Sequence, residues 1–202
     1  MITRLATVLL ATLLLAGCVM LGARREQPPR PPTTDELQAA AQQGLREMIR
    51  NSRAQLGQPY EIYLLIPSKV RQYKPGTRMS TMLERTHAWK FPVLIDGTMQ
   101  GTIDVGFLDG RWQATGVDNA TYLHALREFT AQPENQDLGI PVLVYSDPIF
   151  ARFALFNKGL DQRLLRLSEA RFYFQSLKDT QVYPTDEVMP QIIEAFEDRG
   201  AW

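Results

Sequence analysis

The residues that could perform acid–base or nucleophilic chemistry are few and widely spaced. The chain of 202 residues has two histidines, His87 and His124, and a single cysteine, Cys18. His87 lies in the segment ERTHAWKF, where Glu84 and, further along, Asp96 could assist it as a general base. His124 falls on the outward side of a predicted helix, where a solvated residue is expected. The sequence therefore predicts no catalytic residues, and a hydrolase with an unfamiliar site around His87 is the least favoured alternative.

The common catalytic, metal-binding and nucleotide-binding motifs are absent from the sequence. There is no G-x-S-x-G, H-E-x-x-H or G-x-x-x-x-G-K-[ST] pattern, and the two histidines lack a metal-ligand spacing. Asp96, Asp109 and Asp118 each fall at a predicted turn, where an aspartate bonds its own backbone. We therefore expect neither a metal nor a cofactor. The 22 basic and 22 acidic residues are balanced without a basic stripe, which argues against nucleic acid as a partner.

Cys18 stands at the end of an apolar run that opens the chain. The uncharged residues 5–15 are too few to span a bilayer, which takes about 20 apolar residues in a helix. A basic start, a short apolar stretch and small residues are typical of a secretory signal. The segment Leu15-Ala16-Gly17-Cys18 resembles the lipobox of bacterial lipoproteins.

This resemblance implies a processing route and a location. Diacylglycerol would be attached to the sulfur of Cys18, and cleavage after Gly17 would then remove residues 1–17 as a signal peptide. An acyl chain such as palmitate on the new amino group of Cys18 would complete the anchor in the bilayer. Val19, rather than Asp, implies the outer membrane, facing the periplasm. The proline-rich residues 18–33 form a predicted extended tether.

The predicted fold of residues 34–202 is a single α+β domain. Thr33 and Glu36 form a capping-box pattern before an amphipathic helix over residues 34–56. Asp-Gly dipeptides at 96–97 and 109–110 predict tight hairpin turns. Residues 60–67 predict a strand, and a three-strand meander follows over residues 91–95, 102–107 and 112–117. A helix capped by Asp118 or Asn119 then runs to about Ala131.

The second half of the domain has a similar pattern. Matching Phe91 with Ile140, at an offset of 49, suggests a weak duplication of 60–131 in 139–200. Residues 148–158 predict either a strand of a second meander or a helix, and aromatic density favours the strand. A helix that includes Pro190 closes the chain. The expected result is antiparallel meanders with helices on one face, in an order that resembles small cystatin-like or PepSY-like domains.

Two aromatic residues are the candidates for an interaction surface. Trp202 ends the sequence, where it could anchor a partner or fold back on its own domain. Phe172, Tyr173 and Phe174 are consecutive, so one face cannot hold all three, and Tyr173 is the candidate for binding.

Taken together, these features predict a non-enzymatic, membrane-anchored envelope lipoprotein that binds another envelope protein. The alternative is a carrier of a small molecule or lipid, with the sheet's concave face as its pocket. The sequence leaves the oligomeric state and the partner open.

Overall fold

A large, mostly antiparallel sheet organises the domain. The computed structural model describes residues 30–167, 173–178 and 180–202, so the lipobox and most of the tether lie outside the described residues. The helices are α1 Thr34–Met48, α2 Pro67–Val70, α3 Tyr122–Ala131 and α4 Thr185–Asp198, with 3₁₀ turns at Met79–Met82 and Pro133–Leu138. The strands are β1 Ala54–Leu56, β2 Tyr60–Leu65, β3 Leu83–Ile95, β4 Thr98–Leu108, β5 Arg111–Asp118, β6 Val142–Ser146, β7 Ala151–Lys158, β8 Asp161–Arg166 and β9 Val182–Pro184.

The strand order joins two meanders through one parallel pair. The order is β5-β4-β3-β2-β6-β7-β8-β9, and β1 pairs with β3. Ile62 of β2 lies opposite Leu143 of β6, and this pair is parallel, whereas the other neighbours are antiparallel. The predicted mixed α+β class with an antiparallel sheet is confirmed.

The hairpin turns follow from the Asp-Gly dipeptides. Asp96 and Gly97 have φ of 52° and 79°, and Asp109 and Gly110 have 52° and 77°. Positive φ at both central residues defines the type I′ turn, which matches the twist of the flanking strands. Residues 151–158 are a strand, so the strand prediction is confirmed over the helix, and Asp147–Phe150 form the turn before it.

Helices cover both faces of the sheet, and the prediction of helices on one face is wrong. α1 packs over Phe91 and Ile103, and α4 packs over the same face further along, at Leu155. α3 packs on the opposite face, against residues that include Ile62. The reason is that the central strands are apolar on both sides, so each side must be covered.

The predicted first helix is too long. α1 has the capping box formed by Thr33 and Glu36, but it ends at Met48, and residues 54–56 pair with β3 instead. Inside α1, a Cβ on Gly44 would lie 2.4 Å from the Cβ of Ala114 in β5. This glycine therefore allows the helix to approach the sheet closely, and that gain outweighs its low helix propensity.

Two further sequence predictions need correction. Neither Asp118 nor Asn119 caps α3, which begins at Tyr122; Asp118 instead accepts a hydrogen bond from the backbone N–H of Ala120. The offset that matches Phe91 with Ile140 aligns β3 with β6. Along the chain, however, β6 opens its meander as β2 opens the first, so the two are the equivalent strands. The matched apolar pattern is one that any buried strand shares.

Candidate functional site

An exposed aromatic residue stands at the turn between β6 and β7. Phe150 is 70% exposed and has φ of 50°, the left-handed region that bulky residues rarely adopt. Its backbone N–H donates to the carbonyl of Asp147, closing a turn, while its neighbour Ile149 is buried. The turn thus places one apolar side chain in the core and holds the next one in solvent.

Arg199, at the end of α4, links Phe150 to Tyr173. Its guanidinium carbon lies 5.3 Å from the Phe150 ring centroid and 5.8 Å from that of Tyr173. Tyr173 is half-buried and precedes Phe174, which is fully buried against Phe153. A cation over aromatic rings is attracted by their negative faces, so the three side chains support one another at the surface.

The chain after α4 folds back on the domain. Gly200 has φ of 58°, its N–H donates to the Glu197 carbonyl, and the Ala201 N–H donates to the Phe196 carbonyl. These bonds form the Schellman motif that ends many helices. Trp202 consequently lies 5.5 Å from the Phe196 ring, measured between centroids.

Arg71, just after α2, contacts the ring of this tryptophan. Its guanidinium carbon is 5.6 Å from the Trp202 ring centroid, and Trp202 remains half-buried. The two candidates from the sequence, Tyr173 and Trp202, therefore both lie against the C-terminal part of α4. We call Phe150, Tyr173, Arg199, Trp202 and Arg71 the aromatic–arginine surface.

A second group of polar residues lies on the α3 side of β3, β4 and β5. The side chain of Lys90 is 5% exposed, and its Nζ is 2.7 and 2.8 Å from the two carboxylate oxygens of Asp104. The same Nζ is 3.1 Å from Oδ2 of Asp118. One buried cation thus joins three strands through two partly exposed carboxylates.

The protonation states of this group follow from its contacts. Burial alone would lower the pKa of Lys90, but the hydrogen bond and charge of Asp104 outweigh it and hold the pKa above its ordinary value. Burial would likewise raise the pKa of Asp118, yet the Ala120 N–H and Lys90 bring it below the usual range. Both charged forms are therefore favoured in the fold.

A pair of tyrosines lies close to this group. The hydroxyls of Tyr122 and Tyr145 share a short hydrogen bond, and burial raises the pKa of both. The guanidinium of Arg152 lies 4.7 Å from the Tyr122 ring centroid and 5.3 Å from that of Tyr145. This arrangement keeps both phenols protonated near neutral pH and supplies no group with a pKa near 7 for acid–base catalysis.

The residues considered for a hydrolase do not meet. Asp96 follows β3 and binds Arg53 at 2.7 Å, roughly 30 Å along the strand from His87. His87 has φ of 55° in a bulge between β2 and β3, and its Nδ1 is buried with no hydrogen-bond partner among the described residues. Glu84 is exposed on the other side of the bulge, and His124 is half-buried on α3.

Residues 30–167, 173–178 and 180–202 contain no group of three or more metal-ligating side chains. None of the helices in that part of the chain has the length and apolarity needed to cross a membrane. Two surface clefts, of about 350 and 310 Å³, lie beside the end of α1 and between α3 and β2. Arginine and other polar side chains form part of the lining of both.

Sequence reasoning missed most of these groups. Phe150, Arg199 and Arg71 are distant in the chain from Tyr173 and Trp202, and no local spacing connects them. The Asp147-Pro148 dipeptide is a local turn signal, but it indicates a turn and not the exposure of Phe150.

No protein-family model matches the sequence, and neither the curated proteins nor the solved structures contain a match to it.

Proposed function

We propose that the protein is an envelope lipoprotein, anchored through Cys18, whose folded unit acts as a non-enzymatic protein-binding module. Residues 18–33 would serve as the tether, and the outer membrane facing the periplasm would be its location. We also propose that the domain is similar in fold to cystatin-like or PepSY-like domains. This similarity rests on the shared order of a helix followed by an antiparallel meander.

The observation that carries the proposal is the conformation of Phe150. A left-handed backbone costs a residue with a Cβ about 1–2 kcal/mol, and glycine or asparagine would avoid most of this cost. The side chain is nevertheless 70% exposed, so burial in the domain does not compensate. Strain of this kind is most common where function requires it, and exposed aromatic and arginine side chains are the residues that dominate protein interfaces.

The coverage of the sheet favours this proposal over the carrier alternative. A lipid carrier needs an open apolar pocket, whereas α1, α3 and α4 pack on the three apolar clusters of the two sheet faces. The aromatic–arginine surface combines apolar rings with two cations. Such a surface suits a protein partner with a carboxylate-bearing, partly apolar patch.

Site-specific photo-cross-linking in the native host tests the proposal. A photoreactive phenylalanine replaces Phe150 in the anchored protein and in a Cys18→Ala form exported by a soluble signal. The matched control places the same group at Leu160, which is 80% exposed in the turn at the other end of β7.

We expect one discrete protein adduct from position 150, absent from position 160 and lost when Arg199→Glu is added. Stronger capture by the anchored form would link binding to the tether. No adduct at position 150, or the same adducts at both positions, would overturn the proposed binding surface.

A further inference from the structure

The strand β5 forms a long open edge of the sheet. It has eight residues, Arg111–Asp118, and stands last in the strand order, with no neighbour on its outer side among the described residues. The opposite edge, β9, has three residues and ends in Pro184, a combination that blocks further pairing. β5 contains neither lysine nor proline, so it lacks these usual protections of an exposed edge.

The hydrogen-bonding pattern of this edge follows from the turn that precedes it. A two-residue turn at Asp109-Gly110 makes Leu108 and Arg111 a hydrogen-bonded pair, and the pairs then alternate along the ladder. Trp112 therefore directs its backbone groups away from β4. The bulge at Thr115 inserts one extra residue and shifts this alternation, so Val117 also directs its backbone groups away from β4.

We propose that a second copy of this chain docks on the β5 edge, with the two β5 strands antiparallel about a twofold axis. In the register that sets Trp112 opposite Val117 of the second copy, the outward backbone groups of both residues face each other. Both side chains also lie on the same face of the sheet, because their partners Phe107 and Ile103 do. Val117 is 47% exposed, and the pairing would cover it.

Charge complementarity supports a copy of the same chain rather than a foreign strand. The same register places Arg111 opposite Asp118 of the second copy, and the twofold axis repeats this pair at the other end of the strand. Both residues lie on the face opposite Trp112. Arg111 forms no ion pair within the described residues, and the side chain of Asp118 is 43% exposed.

A gap on the edge has the right position for a side chain of the second copy. A Cβ on Gly116 would meet no atom within 4 Å. The proposed register sets Gly116 opposite Gln113 of the second copy, as a pair without ladder hydrogen bonds, where side chains approach most closely. On either side of the bulge, the edge is thus complementary to itself in charge, in apolar contact and in shape.

Disulfide trapping tests the register directly. Full-length chains with different affinity tags are co-expressed, one with Gln113→Cys and the other with Gly116→Cys, beside chains that have only the native Cys18. Gly116→Cys in both copies is the matched control, because the two cysteines would then lie too far apart. We expect a disulfide between the two tags only in the 113/116 combination. No such bond, equal yields in all combinations, or a bond to a different protein would overturn the proposal.

Charge reversal tests the partner's identity without cysteine chemistry. Arg111→Glu sets two acidic residues opposite each other, and Asp118→Arg sets two basic ones, so each variant should associate with itself about tenfold more weakly. A mixture of the two variants restores both ion pairs and should give a one-to-one heterodimer by native mass spectrometry. Thermal unfolding verifies that each variant is folded. Folded variants that self-associate like the wild type would contradict the proposed interface.

Discussion

Lys90 and Asp104 form a two-point ion pair between neighbouring strands, with the lysine Nζ 2.7 and 2.8 Å from the two carboxylate oxygens. The lysine side chain is almost fully buried, while the carboxylate is about one-third exposed. Asp118 adds a second acidic partner at 3.1 Å. The cation therefore reduces the repulsion between two carboxylates that lie in one small region of the sheet.

Removal of this cation should destabilise the domain. Lys90→Met keeps most of the side-chain volume but leaves Asp104 and Asp118 without a counter-charge, and we expect a loss of about 2 kcal/mol in the free energy of unfolding. The carboxylates' partial exposure limits the loss. Denaturant unfolding at pH 7 measures it. Adding Asp104→Asn to Lys90→Met should recover part of the loss, whereas no recovery would show that charge is not the cause.

The same group should make stability depend on pH in the acid range. The pKa of Asp118 is lowered in the fold, so its contribution is present above its unfolded pKa of about 3.9. The contribution is lost as the pH falls further, through the folded value. The Asp118→Asn variant has no carboxyl group at this position, so its stability lacks this contribution at every pH. The difference in unfolding free energy between wild type and variant should therefore be constant from pH 5 to 8. A difference that does not shrink below about pH 4 would refute this assignment.

Replacing Gly44 with alanine should destabilise the domain, although Gly44 lies inside a helix. Alanine would raise the helix propensity by about 1 kcal/mol, but its Cβ would lie 2.4 Å from that of Ala114. Forcing α1 away from β5 should outweigh this gain, and we expect a net loss of about 2 kcal/mol by thermal or chemical unfolding. The double variant Gly44→Ala with Ala114→Gly moves the methyl group from the strand to the helix and should regain most of the loss. A single Gly44→Ala variant as stable as the wild type would contradict this contact.

The Asp-Gly turns and the ion-paired group of Lys90, Asp104 and Asp118 differ in how far the sequence could predict them. Asp-Gly turns are local, so the strands beside them were predictable from short segments. Counting residues from the first turn would set Lys90 opposite Ile103, on the wrong face of the sheet. A bulge early in β4, where Gln100 is the extra residue, moves the partner of Lys90 to Asp104, and another at Thr115 brings Asp118 to the same face. Bulges depend on tertiary contacts, so sequence patterns alone did not indicate this group.

The aromatic–arginine surface was predictable only in its parts. Trp202 and Tyr173 were candidates from their positions in the sequence, but their partners come from turns and helix ends far away in the chain. The parallel pairing of β2 with β6 brings the two meanders together. No periodic pattern specifies such a long-range contact, because strand patterns record burial and not the neighbour.

Phe150 and Phe153 should respond in opposite ways to substitution, although three positions separate them. Phe153 is fully buried beside Phe174, so Phe153→Ala should cost about 3–5 kcal/mol of unfolding free energy. Phe150→Gly relieves a left-handed backbone, while it removes the contact with Arg199, worth about 0.5–1 kcal/mol. These effects nearly cancel, so the variant should unfold within about 1 kcal/mol of the wild type. Denaturant titration of both variants makes the comparison. A loss at Phe150 as large as that at Phe153 would mean that this ring stabilises the domain, which would remove the reason for assigning it to a binding surface.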